Sequence, residues 1–342
     1  MEDFEKQIQT EINSVKDALK YTRRLQLIAD LNHLNFLCIF LELPFYKRNY
    51  LEELKLELNA DRFSYYFKHI KEFDFNLTLI QYYKYFMSNL FSDDKNSINY
   101  RYNSKINLDE ATDLVFDFFK SYDIRYYNTF KSIGENLIVL DKDFLKKEIF
   151  SGTTLCGNST LTSSKIILAD SSDILVPITL AHETSHVYDF YVNRNLTNKQ
   201  YFKKLLSITH EINPYHTELH FLDFLSKYYK DDAQINKKDF DDYFWCSIIS
   251  IEESLDYIKK SFFKYNKVYN DYVDVIRDFY GRLIAYILYS LNDIEKEIYI
   301  RDKIMTDIHN TSIRDILLCE GINLDDYSTH EKVFKLIKKH WN

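Results

Sequence analysis

Pro177-Ile178-Thr179-Leu180-Ala181-His182-Glu183-Thr184-Ser185-His186 is the stretch on which the reading of this chain turns. It opens on a proline, which fits the first turn of a helix because its missing N–H would have no partner there anyway. Ile178, Leu180 and Ala181 are compatible with burial, so a helix is expected from about residue 177. On a helix, residues four apart share a face, so the imidazoles of His182 and His186 can reach one metal ion. Glu183 follows the first of them, where a carboxylate can reach a water on that metal without being a ligand. The bland alternative is an accidental His pair on a helix surface, the false-positive risk of any short motif.

A catalytic zinc usually has three protein ligands and an open position. A third histidine six residues beyond the motif is excluded, since residue 192 is Val. Glu211, 25 residues beyond His186, is the one glutamate between Glu183 and Glu218. Asp189, the one aspartate in that span, lies a turn after His186 and is better placed to orient a ligand than to bind. The polar break at 193–198 lets the chain turn back and bring Glu211 to the histidines.

The surrounding composition favours helices. Only 5 Gly and 3 Pro occur in 342 residues, and sheet-rich folds draw heavily on both for turns. The hydrophobic fraction of 46% and charged fraction of 28% suit a globular core rather than disorder. With 29 Tyr and 26 Phe, most rings are expected to fill helix–helix contacts. Helices are expected over residues 1 to about 43, then at roughly 50–58, 61–72, 76–91 and 108–122. A polar stretch from 92 to 107 marks a boundary between an N-terminal helical region, 1–106, and a catalytic region, 107–342. Asn136 to Leu140 and Lys165 to Leu168 read as short strands around a Gly, Ser and Thr-rich segment at 151–164. The second of these strands is a candidate to hold an extended peptide by edge pairing. Helices resume at 177, with breaks expected near 193–199, 230–240 and 321–330.

A net charge of −8, with lysines only in short pairs such as Lys203-Lys204, makes nucleic acid an unexpected partner. The four cysteines form no CxxC pair, so zinc knuckles and redox motifs are not expected. With neither a signal-type N-terminus nor a run of 18 apolar residues, a cytoplasmic protein that avoids membranes is expected.

Ile178 to His186 resembles the TLAHExGH core of the thimet oligopeptidase and oligoendopeptidase F family, gluzincin-type zinc peptidases. Glu211-Ile212-Asn213-Pro214-Tyr215-His216-Thr217-Glu218 resembles that family's glutamate segment, with its two glutamates seven apart. The resemblance implies Zn2+ held by His182, His186 and Glu211, with Glu218 behind a ligand histidine and Glu183 as general base. It further implies a mainly α fold, two helical lobes around a channel, a small β-sheet beside the active-site helix, and peptide substrates. Phe279 to Tyr286 resembles the family's Tyr- and Gly-containing helix, which makes Tyr280, then Tyr272, the candidates to stabilise an oxyanion. The chain departs from the family at Ser185, where Gly is usual, in the place of Pro214, and in having no His between His220 and His309. Two rival readings stand beside this one: a non-catalytic helical binding protein with a vestigial metal site, and a zinc hydrolase of non-peptide substrates. His216 and His220, also four apart but without a glutamate between them, are read as supporting or packing residues.

Overall fold

The structure, a computed structural model, describes residues 2–21, 30–31, 34, 77–91, 102–134, 136–140, 152–155, 164–195, 208–264, 270–307 and 311–341. Among these, the chain is mainly helical with one small sheet. It divides into two compact units, Met1–Asn59 with Asn103–Phe202, and Ala60–Tyr102 with Lys203–Asn342.

The first unit contains α1 (Glu2–Tyr21), α3 (Leu108–Tyr122), α4 (Ile124–Ile133), strands β1 (Leu137–Leu140), β2 (Gly152–Leu155) and β3 (Lys165–Ala169), and α5 (Leu175–Val192). Side-chain caps start two of its helices: Asn107 accepts the Glu110 N–H at 2.9 Å and Asp123 accepts that of Arg125 at 3.0 Å. Apolar faces of α3 and α4 meet α5 through Phe119, Tyr126 and Tyr188, the last two rings 4.4 Å apart. On the other side, Ile8, Ile12 and Val15 of α1 pack on Ile138, Leu140, Leu155 and Ile167 of the sheet.

The strand order is β1-β3-β2, parallel for the first pair and antiparallel for the second. This corrects one expectation: β3 is central and has neighbours on both sides, so its backbone groups are already used. Among the described residues, β2 lies at one edge of this sheet and packs on α5. Gly152 permits the close approach, since a Cβ there would stand 2.5 Å from Thr179 Cγ2 and 3.2 Å from Glu183 Cγ.

The second unit holds α2 (Leu77–Phe91), a 3-10 turn (Ile208–Glu211), α6 (Ile212–Leu225), α7 (Lys230–Lys264), α8 (Asn270–Tyr289), α9 (Ile294–Asp307), α10 (Ile313–Cys319) and α11 (Tyr327–Trp341). Its axis is α8, buried on all faces from Phe279 to Leu288 and packed on α6, α7 and the 3-10 turn. Tyr83 of α2 sits between Phe244, Phe334 and His330, donating or accepting at His330 Nδ1 over 2.8 Å. Asp241 of α7 gathers Tyr286, His340 and Trp341, which fixes the end of α11.

The break expected at 230–240 is instead the start of the 35-residue α7. Its polar residues are suited to a helix entry: Asp231 and Asp232 lie in the first turn, where acidic groups offset the helix dipole. The actual break is the turn at 226–229. Likewise the expected helix over 1–43 is described only to Tyr21 and at a few later residues, and the helices expected at 50–58 and 61–72 lie outside the described residues. No described helix is long and apolar enough to cross a membrane.

Candidate functional site

The His182-to-His186 segment lies in the middle of α5, with Pro177 in its first turn. The turn before α5 is fixed by two aspartates: Asp170 accepts the Ser172 N–H at 2.8 Å and Asp173 accepts that of Leu175 at 3.0 Å. Burial of so polar a helix needs its hydroxyls satisfied. Thr184 and Ser185 do this locally, donating to the Leu180 and Ala181 carbonyls at 2.6 and 3.0 Å. Ser185, where the resembled family has Gly, thereby has its hydroxyl bonded within its own helix. The two imidazoles stack edge to face with ring centroids 5.1 Å apart, as the four-residue spacing requires. His186 is buried and His182 half-buried.

Glu183 is buried too. Thr154 of β2 reaches it, with Oγ1 2.7 Å from the carboxylate oxygen Oε2 and 3.0 Å from the Glu183 carbonyl oxygen. A hydroxyl has one proton to donate, and the shorter contact assigns it to the carboxylate. The small sheet therefore orients the glutamate of the motif. Sequence reasoning missed Thr154, whose only signal was its place in the Gly, Ser and Thr-rich segment. Asp189 is buried one turn beyond His186 and accepts from Asn193 Nδ2 at 3.3 Å.

In the second unit, Glu211 ends the 3-10 turn that leads into α6. Arg277 of α8 donates to its Oε1 at 2.7 Å. Gly281, one turn further along α8, makes this approach possible: a Cβ there would lie 2.8 Å from Glu211 Cβ and 3.1 Å from Tyr215 Cδ2. Tyr215 donates to Asp278 at 2.7 Å, and burial pushes its phenol well above the ordinary range. Arg282 lies between the Tyr215 and Phe240 rings, 4.1 and 4.3 Å from their centroids. Glu218 is half-buried on α6. Tyr280 is buried against Phe279. The Tyr272 side chain lies outside the described residues.

A second set of metal-type side chains sits in this unit: His216, His220 and Glu297. Both Nε2 atoms meet Glu297 Oε2, at 3.1 and 2.7 Å. Burial holds the His216 imidazole down to about 3, so that ring is neutral. Burial alone would push Glu297 up, but the hydrogen bonds of both histidines hold it down to about 2. Glu297 carried no sequence signal, lying far along the chain from its partners.

Comparison with solved structures supports the fold. A Bacillus anthracis str. Ames protein assigned as an oligoendopeptidase F matches over 99% of this chain, with a TM-score of 0.52 and 9% identity. A Chlamydophila abortus protein assigned as a peptidase matches over 99% of this chain, with a TM-score of 0.47 and 11% identity. The chain spans only 62% and 60% of the lengths of these two proteins. No family profile matches the sequence, and no curated protein does. The similarity to the Bacillus anthracis structure shows a shared, mainly helical fold, at a sequence identity too low to carry activity with it.

Proposed function

We propose that this chain is a zinc-dependent peptidase acting on oligopeptides, with His182, His186 and Glu211 as metal ligands. Two imidazoles and a carboxylate are a donor set of the catalytic zinc type, and the region 107–342 carries all of it. Bound there, zinc supplies Lewis acidity, which polarises a peptide carbonyl and acidifies water. Glu183 takes the proton from the attacking water and delivers it to the departing amine. Thr154 holds the Glu183 carboxylate in place for that transfer. Arg277 holds Glu211 through its Oε1 oxygen. A tyrosine hydroxyl stabilises the oxyanion, with Tyr280 the first candidate and Tyr272 the second. Asp189 and Glu218 orient the ligand side chains.

One observation carries this reading: Glu183 is buried, and an adjacent strand supplies a hydrogen bond that orients its carboxylate. A site that only bound metal would have no use for it. The test is turnover of a quenched oligopeptide library by zinc-supplied protein, its loss on chelation and its return with added zinc. A zinc-loaded chain that cleaves nothing in a broad library overturns the peptidase reading and favours a metal-bearing binding protein.

Thr154→Val keeps the shape of the side chain and removes the hydroxyl. A hydrogen bond to a charged group is worth about 1.5–3 kcal/mol, so turnover should fall at least about tenfold. Zinc content should not change, because Thr154 is not a ligand. Unaltered turnover would remove Thr154 from the mechanism.

A further inference from the structure

We propose that His216, His220 and Glu297 form a second zinc site, separate from the His182 and His186 motif, that ties α6 to α9. The three donors come from two elements of one unit and lie within 4.8 Å of one another. His216 and His220 are a helical turn apart on α6, their rings edge to face with centroids 4.7 Å apart. Glu297 enters from the first part of α9. Its Oε1 accepts the Asp293 N–H at 3.0 Å. That bond fixes the carboxylate and turns Oε2 toward both imidazoles.

The geometry is close to what zinc needs. Zinc–nitrogen and zinc–oxygen bonds of about 2.0–2.2 Å at tetrahedral angles put ligand atoms about 3.3 Å apart. The observed separations from Oε2 are 3.1 and 2.7 Å. Opening the two Oε2–Nε2 contacts by about 0.2 and about 0.6 Å would bring them to that geometry. A neutral imidazole binds through the Nε2 lone pair with its proton on Nδ1, which is the tautomer both rings would adopt around the ion. His216 and Glu297 are buried, whereas the His220 side chain is 17% exposed, which leaves a wet side for entry and for a water as fourth ligand. The nearby cation Arg301 is paired with Asp302 at 2.8 Å, so its charge is offset locally. Tyr289, whose ring abuts that of His220, is engaged by Asp223 and does not compete for the site.

The test separates this site from the motif by removing one at a time. Full-length His182→Ala protein, loaded with zinc and desalted, should retain about one equivalent by elemental analysis and melt at a higher temperature with zinc than after chelation. Adding His220→Ala should take that equivalent to none and abolish the zinc-dependent shift, with far-ultraviolet circular dichroism unchanged. Should the double variant not fold, His220→Gln in the same background replaces it, since it keeps a polar side chain at this partly exposed position. Folded His182→Ala protein that holds no zinc and melts identically with and without it overturns the proposal. The zinc count of the parent distinguishes the two sites. If the motif does not bind, parent and His182→Ala hold the same single equivalent. If the second site does not bind, the parent holds one and His182→Ala none.

Discussion

Glu183→Gln should leave the zinc content and melting temperature of the chain unchanged and lower peptide turnover by about 100-fold or more, the range expected when a general base is lost. Glutamine matches the size of glutamate and keeps an oxygen that can accept from Thr154 Oγ1, which is 2.7 Å from the native carboxylate. The packing of β2 on α5 should therefore survive, including the narrow approach of Gly152 to the Glu183 stem. What the amide cannot do at neutral pH is take a proton from water. The measurement is a comparison of metal content, thermal melting and turnover in parent and variant. Equal turnover would sink the general-base role. A lower melting temperature would show instead that the carboxylate is needed for folding, and Thr154→Val would then be the cleaner probe.

The parts of this picture that were legible in the sequence are those set by local rules. The helix through His182 and His186 follows from Pro177 and the apolar run behind it, and the edge-to-face contact of the rings follows from their spacing. The scarcity of glycine and proline points to a mainly helical chain, and the β-type runs at 136–140 and 165–168 confine the expected sheet to one region. What stayed illegible depends on tertiary contacts. Thr154 reaches Glu183 only because β2 pairs with β3 and lies on α5, and nothing in a Gly, Ser and Thr-rich segment says which hydroxyl will do so. The edge role expected of 164–168 failed for the same reason: alternation and hydrophobicity mark a strand, but not whether it has one neighbour or two. The polar start of α7 resembles a break in composition, although Asp231 and Asp232 are residues that a helix entry favours. The sequence offers His216 and His220 no more than supporting or packing roles, because their shared partner, Glu297, comes from another helix.

Glu211→Ala bears on the remaining part of the proposed zinc site, the ligand that spacing alone could not assign. Alanine removes a charged ligand outright, so zinc affinity at the motif should fall by more than the 10–100-fold typical of losing an outer partner of a ligand. Turnover should fall with it. Glu218→Ala should stay within that smaller range, because its proposed part is to orient a histidine. The two substitutions also differ in what they leave behind. Without Glu211, the Arg277 guanidinium loses the carboxylate oxygen it holds at 2.7 Å. Some loss of stability is therefore expected, and affinity must be measured on protein shown to be folded. The His220→Ala background confines the measurement to the motif, so that zinc bound at His216 and Glu297 does not mask the loss. Competition with a chromogenic chelator then gives the affinity directly. Unchanged affinity would remove Glu211 from the ligand set and leave Asp189, buried one turn beyond His186 on the same helix, as the nearest carboxylate along α5 that could take its place.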